Sequence, residues 1–407
     1  MTGFCTSSTK NEYEEQIREL RELKSRGASK NILRSAAQQL QQIKLASDSL
    51  QIPDHNTKVT EYHQSVQKSW DSYPEVLRLP LDSEGYVLAF RYASHREKLE
   101  NAVNFFCKFG FVVFEEVLSK SECDATIAEI WDQLEEKNAI LNRNKIETFD
   151  SMSSKTYGLA PQPAVFSKQI LKNRSNPTVL AIFQAILQTQ DIIISHDRWC
   201  LYRATNFISN RLGCRNSWKT PSNLHLDLNP WTYNTGSTPI NDLKFEHVRD
   251  FSRELNGVSF LTGPNVQGII SLTDNCEIDG GTLIVPGFHH VFAEWCNTLT
   301  SMNRQMSCYG TNQNRLIWRG NGAGSYKFSS FDPIHTLKQR ITMRAGSLLI
   351  WDQRVVHGSS PNHSNKIRAA QFIRAFQRSG VSSGRFKARS DYLNKELLSR
   401  VQNTFQS

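Results

Sequence analysis

Four short apolar segments in the C-terminal half of the chain constrain its fold most strongly. They are rich in β-branched residues, and they span residues 266–272, 282–285, 347–351 and 367–376. Glycine turns such as Gly280-Gly281 separate them, and this length and composition are typical of buried β-strands. The segments predict a mainly β fold with flanking helices (α+β). Its core would be a double-stranded β-helix, or jelly roll, of the cupin-like type.

The preceding part of the sequence combines helical and strand patterns. Residues 95–108 have helical apolar spacing, residues 110–114 form a short apolar run, and Ser119 is of a type that caps a following helix. Helical spacing returns over residues 166–187, and two apolar strand-like runs lie between residues 191 and 203. We therefore expect helices and short strands to flank the core sheets.

The N-terminal residues have a different pattern from the rest. Residues 11–50 carry two narrow apolar stripes at helical spacing, which predict a helical hairpin, and the proline-broken residues 48–80 indicate a linker. We divide the chain into a helical N-terminal extension with its linker (1–85), a catalytic-type jelly-roll domain (86–385) and a C-terminal helical tail (386–407).

Composition and targeting signals indicate a soluble intracellular protein. The mean hydropathy is −0.48, and the eight cysteines are scattered without a Cys-x-x-Cys pair, which favours a reducing compartment. We find no basic and apolar leader, no apolar run of membrane-spanning length and no Ser-Lys-Leu peroxisomal ending. We expect a cytoplasmic location and no membrane partner.

The net charge of +9 leaves two interpretations open. It suits an anionic partner, such as nucleic acid or a phosphate-bearing small molecule. It also suits a generally basic surface, which we favour because no dense block of lysine and arginine occurs. The oligomeric state is not indicated by the sequence.

The sequence Asn223-Leu224-His225-Leu226-Asp227 supplies two candidate metal ligands. Residues two apart in an extended backbone point to the same face, so His225 and Asp227 could bind one ion. Alternatively, the two side chains could simply hydrogen-bond each other at a strand end. A set of two histidines and one carboxylate, as in non-haem Fe(II) sites, needs another imidazole, and the best donor is His357.

Three later stretches occur in an order that resembles a known family. They are Gly280-Gly281-Thr282-Leu283-Ile284-Val285-Pro286-Gly287, then Ile350-Trp351-Asp352-Gln353-Arg354-Val355-Val356-His357-Gly358-Ser359, then Ile367-Arg368-Ala369-Ala370-Gln371. With the His-x-Asp pair and the opening Gly110-Phe111-Val112-Val113-Phe114, they resemble the phytanoyl-CoA dioxygenase (PhyH-like) family of Fe(II)- and 2-oxoglutarate-dependent oxygenases. The resemblance covers roughly residues 95–380.

The resemblance implies a role for five residues. His225, Asp227 and His357 would bind Fe(II), while Arg368 would bind the far carboxylate of 2-oxoglutarate with Ser359 close to it. A guanidinium suits this task because it can form two parallel hydrogen bonds to a carboxylate. Strand alternation makes Arg374 a rival to Arg368 for this role. The family's turn at His289 and His290 suggests that these two histidines are structural.

The resemblance also implies a reaction. The expected activity is hydroxylation of a small-molecule C–H bond, with 2-oxoglutarate converted to succinate and CO2. Halogenation is disfavoured because halogenating relatives replace the carboxylate ligand, here Asp227, with a small residue. The interval between Asp227 and His357 is longer than is usual in the family, and we place the excess in residues 234–256 and 297–337, which leaves the substrate open.

Two alternatives remain. One is an oxidative demethylase of nucleic acid or protein, because the spacing of Arg368 and Arg374 resembles that of AlkB-like demethylases. The other is a non-catalytic scaffold of the same fold that uses residues 11–50 for interaction. A scaffold has no need for the metal and cosubstrate positions, which are all present here.

Overall fold

The computed structural model of the protein describes a set of segments. They are residues 73–92, 96–152, 165–207, 213–220, 222–228, 230, 266–299, 309–312, 315–318, 326–328, 332–381 and 383–404, with scattered positions between 15 and 36. Ser65–Gly310 and Trp318–Ser407 form one compact unit, and Met1–Gln64 and Thr311–Ile317 form another. Most of the predicted hairpin and linker, and all of residues 234–256, lie outside the described residues. The domain boundaries at residues 85 and 385 stay predictions.

Seventeen strands, six α-helices and five short 3-10 helices have their bounds within the described residues. The strands are β1 (Phe90–Arg91), β2 (Phe111–Glu115), β3 (Ile192–Ile194), β4 (Trp199–Tyr202), β5 (Asn206–Phe207), β6 (Gly213–Cys214), β7 (Asn223–Leu226), β8 (Val266–Ser271), β9 (Gly281–Ile284), β10 (Tyr309–Asn312), β11 (Arg315–Trp318), β12 (Tyr326–Lys327), β13 (Gln339–Arg340), β14 (Leu348–Asp352), β15 (His357–Ser360), β16 (Arg368–Ile373) and β17 (Ala375–Gln377). The helices are α1 (Arg96–Phe109), α2 (Lys120–Lys137), α3 (Lys168–Arg174), α4 (Pro177–Leu187), α5 (Phe288–Thr298) and α6 (Ser383–Thr404). None of these helices is long and apolar enough to cross a membrane.

Two sheets contain most of the strands. The larger sheet has six strands in the order β1-β2-β14-β8-β16-β4, and the smaller has five in the order β12-β7-β15-β9-β13. From β7 onward, the strands of these two sheets that have four or more residues alternate between the sheets, since β7, β9 and β15 belong to the smaller sheet and β8, β14 and β16 to the larger. The two-residue strands β12 and β13, which lie between β9 and β14 in the chain, both belong to the smaller sheet. No strand pairing between described residues closes the two sheets into a barrel. The fold is therefore a mixed α/β arrangement of sheets with flanking helices, and this coarser part of the fold prediction is confirmed.

Local signals explain several of these elements. Ser119 and Glu122 form a reciprocal capping box at the start of α2, as the residue type of Ser119 predicted. Helix α1 ends at Phe109, and the next residue, Gly110, has a φ of +77°, which glycine can adopt at little cost. The chain then enters β2, which is buried from Phe111 through Phe114 in the main apolar core.

The helical spacing over residues 166–187 corresponds to two consecutive helices, α3 and α4. Pro177 lacks a backbone N–H and restricts the residue before it, so α3 ends before this position and α4 begins at it. Asn176 caps α4 by accepting a hydrogen bond from the backbone N–H of Thr178. A proline at the first position of a helix is well tolerated, and here it sets the boundary between the two helices.

Two histidines connect α5 to the end of α1. The His289 Nε2–H group donates to the carbonyl of Cys107 over 2.9 Å, and His290 Nε2 lies 3.2 Å from the carbonyl of Lys108. These carbonyls belong to the last turn of α1, which lacks partners within its own helix. Both histidines thus satisfy a helix end, consistent with the structural role expected for them.

Acid is expected to destabilise the protein in part through His289. Its Nδ1 atom is buried without a hydrogen-bond partner, and burial lowers the pKa of His289 to about 4. The unfolded chain therefore binds a proton near pH 6.5, whereas the folded chain binds it only near pH 4. As the pH falls through this window, the free energy of unfolding should decrease by up to about 3 kcal/mol.

Chemical unfolding of His289→Gln at pH 6.5 and pH 4.5 tests this expectation. The glutamine amide can donate to the same carbonyl but does not titrate, so the variant should lose less stability than the wild type over this interval. His290→Gln, which alters the neighbouring exposed ring, is the control and should lose as much as the wild type. An equal loss in His289→Gln would contradict the assignment.

Candidate metal centre

The pairing of β7 with β15 brings two histidines together. His225 and His357 are direct partners in this antiparallel pair, and their ring centroids are 4.5 Å apart. Directly opposite residues of paired strands project from the same face of the sheet. The strand register therefore places the imidazole of His357 next to the His-x-Asp pair, as the sequence suggested.

The position of His357 differs from the simplest interpretation of its sequence. The apolar run before it suggests that His357 ends a strand, but β14 ends at Asp352. A turn follows, closed by a hydrogen bond from the N–H of Val355 to the carbonyl of Asp352, and His357 begins β15 in the other sheet. The histidine is thus the first residue of a new strand.

Asp227 completes a group of three possible ligands. Its Oδ1 atom lies 3.4 Å from Nε2 of His225, and its Oδ2 atom lies 3.6 Å from Nε2 of His357. One ligand atom from each of the three residues falls within 4.8 Å of the others. Among the residues that the structure describes, no other group of histidine, cysteine and acidic side chains has this proximity.

The protonation states favour metal binding by these residues. His357 Nδ1 lies 3.0 Å from the carbonyl of Val355. Because a carbonyl oxygen only accepts hydrogen bonds, Nδ1 carries the hydrogen, and Nε2 of the neutral ring is left as the free ligand atom. Burial, together with the charge of His225, lowers the pKa of His357 and favours the neutral imidazole. Burial alone would raise the pKa of Asp227, but His225 and His357 outweigh it and hold that pKa well below its usual value.

A second polar group contains Arg368 and Ser359. Arg368 is 4% exposed and lies opposite Tyr202 in the pairing of β16 with β4, with its guanidinium carbon 4.8 Å from the tyrosine ring centroid. Burial raises the pKa of Tyr202 to about 12, and the nearby polar side chains of Arg368 and Ser359 partly oppose this shift. Ser359 is two residues after His357 on β15, so the two side chains share a face.

Arg368 has an unsatisfied buried donor. Its Nε atom is buried and has no hydrogen-bond partner in the described part of the chain. An unpaired buried donor is costly, and a charged one more so. Arg374, the rival position, lies elsewhere in the site, where its Nη2 donates to Asp227 Oδ2 over 3.1 Å. The two arginines therefore have different surroundings, which sequence spacing did not reveal.

Sequence reasoning missed Tyr202 and Gln267 as members of the site. Tyr202 joins it through the pairing of β4 with β16, and Gln267 joins it through a hydrogen bond from Nε2 to Asp227 Oδ2. Both residues lie in apolar strand segments, where the sequence shows no motif around them. A polar residue inside an otherwise apolar run was the only available signal for Gln267.

Comparison with known proteins supports one family. The model of the phytanoyl-CoA dioxygenase (PhyH) family matches residues 262–370. A protein of Dictyostelium discoideum named for phytanoyl-CoA dioxygenase is 34% identical over 303 residues, covering 72% of this chain and 80% of that protein.

Two solved structures are also similar to the chain at low sequence identity. HygX from Streptomyces hygroscopicus, with nickel and 2-oxoglutarate bound, is 15% identical, with coverage of 70% of this chain and 88% of that chain and a TM-score of 0.41. The GlcNAc Inducible Gene 2 protein of Candida albicans is 15% identical, and the similarity covers 79% of this chain and 71% of that chain with a TM-score of 0.44.

Proposed function

Because the chain belongs to the phytanoyl-CoA dioxygenase family, and is thus an Fe(II)- and 2-oxoglutarate-dependent oxygenase, we propose that it hydroxylates a C–H bond of a small molecule. His225, Asp227 and His357 hold the iron in this proposal. The observation that carries it is the convergence of these three side chains from two strands that are far apart in the sequence.

The three side chains fit a metal of this kind. Donor atoms bound about 2.1 Å from an ion and at right angles to each other are about 3 Å apart. The 3.4 Å between Asp227 Oδ1 and Nε2 of His225 is close to this value, and the three ligand atoms all lie within 4.8 Å of one another. Two imidazoles and one carboxylate suit non-haem Fe(II), and this set leaves coordination positions free. When bound there, the iron supplies the oxidation of substrate by O2 that is coupled to decarboxylation of 2-oxoglutarate.

Arg368 fits the far carboxylate of 2-oxoglutarate. Its buried Nε–H lacks a partner, and a carboxylate would satisfy it while pairing the buried positive charge. Tyr202 lies against this guanidinium and Ser359 influences the Tyr202 pKa, so both hydroxyl groups are close enough to help orient the same carboxylate. The different surroundings of Arg374 support the choice of Arg368 over Arg374.

The strand order supports the finer assignment of the fold. Alternation of the longer strands between two largely antiparallel sheets is what a double-stranded β-helix produces as the chain winds around a common axis. In this arrangement, β7 and β15 are neighbours although the long segment between them includes β8, β9 and β14. The proposed ligands then lie on two adjacent strands of the smaller sheet and just beyond one of them.

Asp227 supports hydroxylation over halogenation, because a halide would need the coordination position that this carboxylate fills.

A demethylase of nucleic acid or protein is the alternative function on the same fold, and the molecule that it binds would distinguish it from a small-molecule hydroxylase. Binding of DNA or RNA that weakens steeply with salt would favour the demethylase, whereas a small-molecule hydroxylase needs no such binding. The positive net charge alone does not decide between these partners.

Anaerobic titration of purified protein with Fe(II) and 2-oxoglutarate is the direct test. Chelation of iron by the keto acid should produce a weak visible charge-transfer band at about 500 nm. We expect this band to be lost in His225→Ala, Asp227→Ala and His357→Ala. His289→Ala, which removes a histidine outside the metal centre, is the control and should keep the band. A well-folded wild type without the band would overturn the proposal.

A further inference from the structure

The two oxygens of Asp227 have different surroundings. Oδ2 accepts hydrogen bonds from Nε2 of Gln267 over 2.9 Å and from Nη2 of Arg374 over 3.1 Å. A carboxylate oxygen has two lone pairs in its plane, so these two donors can occupy both. Oδ2 also lies 3.6 Å from Nε2 of His357, whereas Oδ1 faces Nε2 of His225 at 3.4 Å and has no such pair of donors among the described residues.

Gln267 is itself held in place. It is 2% exposed and lies on β8 directly opposite Trp351 of β14, whose Nε1–H donates to Gln267 Oε1 over 3.0 Å. This hydrogen bond fixes which end of the amide is the oxygen and turns the NH2 group toward Asp227. The side chains of Trp351, Gln267 and Asp227 are therefore connected by two successive hydrogen bonds, the second of which ends at Asp227 Oδ2.

Arg374 is held by its main chain. It lies between β16 and β17, and Ser195 anchors it twice. The Ser195 N–H donates to the Arg374 carbonyl over 2.8 Å, and the Arg374 N–H donates to Ser195 Oγ over 2.9 Å. The arginine is thus fixed where the chain leaves the larger sheet, and its side chain reaches the carboxylate.

The main chain of Asp227 is also restrained. Nε2 of Gln353 donates to the Asp227 carbonyl over 2.9 Å. Asp227 lies just beyond the end of β7, where no strand pairing is recorded to hold it. Three side chains from three other segments therefore fix the position and the rotation of one carboxylate.

We propose that Gln267 and Arg374 are positioning residues that commit Oδ2 of Asp227 to protein donors and present Oδ1 alone to the metal. This inference rests on the proposed function. A carboxylate that binds through one oxygen uses one coordination position, whereas binding through both would use a second. The two donors therefore keep a position available for 2-oxoglutarate and O2.

Co(II) titration of the metal-free protein, followed by visible spectroscopy and calorimetry, tests this proposal without turnover. We expect Arg374→Met and Gln267→Leu to bind Co(II) about 10- to 100-fold more weakly, the usual effect of removing a partner of a metal ligand. We also expect both variants to change the Co(II) ligand-field bands. Arg374→Lys keeps one charged donor and should recover part of the affinity.

Arg354→Met is the matched control. Arg354 pairs with both carboxylate oxygens of Asp352, at 2.9 and 2.7 Å, so the same substitution breaks an arginine–aspartate pair that does not include a proposed ligand. This variant should keep the wild-type Co(II) spectrum and affinity. A general effect of breaking such pairs would instead appear in both arginine variants.

The outcomes separate this inference from the proposed function. Failure of the wild type to bind Co(II) would overturn both. Normal Co(II) binding and unchanged spectra in Arg374→Met and Gln267→Leu would overturn the positioning role alone. If Arg374→Met bound Co(II) normally but lost affinity for 2-oxoglutarate, Arg374 would contact the cosubstrate, and the positioning role would again be wrong.

Discussion

Arg368→Met is expected to weaken 2-oxoglutarate binding by about 100-fold or more while it changes metal affinity only a few-fold. Losing a buried, charge-assisted contact costs about 2–5 kcal/mol, and each 1.4 kcal/mol corresponds to a factor of ten. Arg368 is 4% exposed, so water cannot readily replace it as a partner of the carboxylate. Calorimetric titration of the Co(II)-loaded variant with 2-oxoglutarate measures the effect.

A shorter keto acid supplies the control for this prediction. 2-Oxobutyrate keeps the keto-acid end and lacks the far carboxylate, so it should bind the wild type and Arg368→Met with similar, weak affinity. The loss specific to 2-oxoglutarate would assign Arg368 to the far carboxylate. If both keto acids lost affinity equally in the variant, the substitution would be acting through the metal centre and the assignment would be wrong.

Gly358→Ala is expected to lower the free energy of unfolding by about 3 kcal/mol or more. A Cβ atom at this position would lie 1.7 Å from the carbonyl oxygen of Asn223 on the neighbouring strand β7. Backbone cannot yield to such a contact without separating the strands, and overpacking of this kind is among the larger effects of single substitutions. Because Gly358 follows His357, separation of β15 from β7 should also weaken Co(II) binding at least tenfold.

Gly384→Ala is the comparison variant, because the same substitution there should not lower the free energy of unfolding. Gly384 lies in α6 with nothing within 4 Å of its ideal Cβ position, and alanine is the better helix former. We expect this variant to be as stable as the wild type or more stable by up to about 1 kcal/mol, with unchanged Co(II) binding. Chemical unfolding of both variants makes the comparison, and a mild effect of Gly358→Ala would show that the strands can separate at little cost.

Features encoded by local sequence were predicted well. Capping at Ser119 and the apolar runs of β8, β9 and β14 each have a short-range physical cause, and the structure contains them near the expected residues. The break at Pro177 was also a local signal, but the apolar spacing on both sides hid it. Apolar spacing alone does not mark such a break, because the helical period continues across the backbone interruption.

Features that depend on strand register could not be predicted in the same way. The sequence suggests His225, Asp227 and His357 through motif order, but it contains no measure of which strands are neighbours. Cross-strand partners such as Gln267 and Tyr202 become members of the site only through pairing between distant segments. The same limit explains why strand alternation left Arg374 as a rival to Arg368.

The pairing of His225 with His357 also joins parts of the chain about 130 residues apart. An ion bound by both residues would close the intervening chain into a loop, as a covalent cross-link does. Loops of this length reduce the entropy of an unfolded chain by an amount worth about 4–5 kcal/mol when closed. Iron binding would then raise the free energy of unfolding of the protein, in addition to making it active.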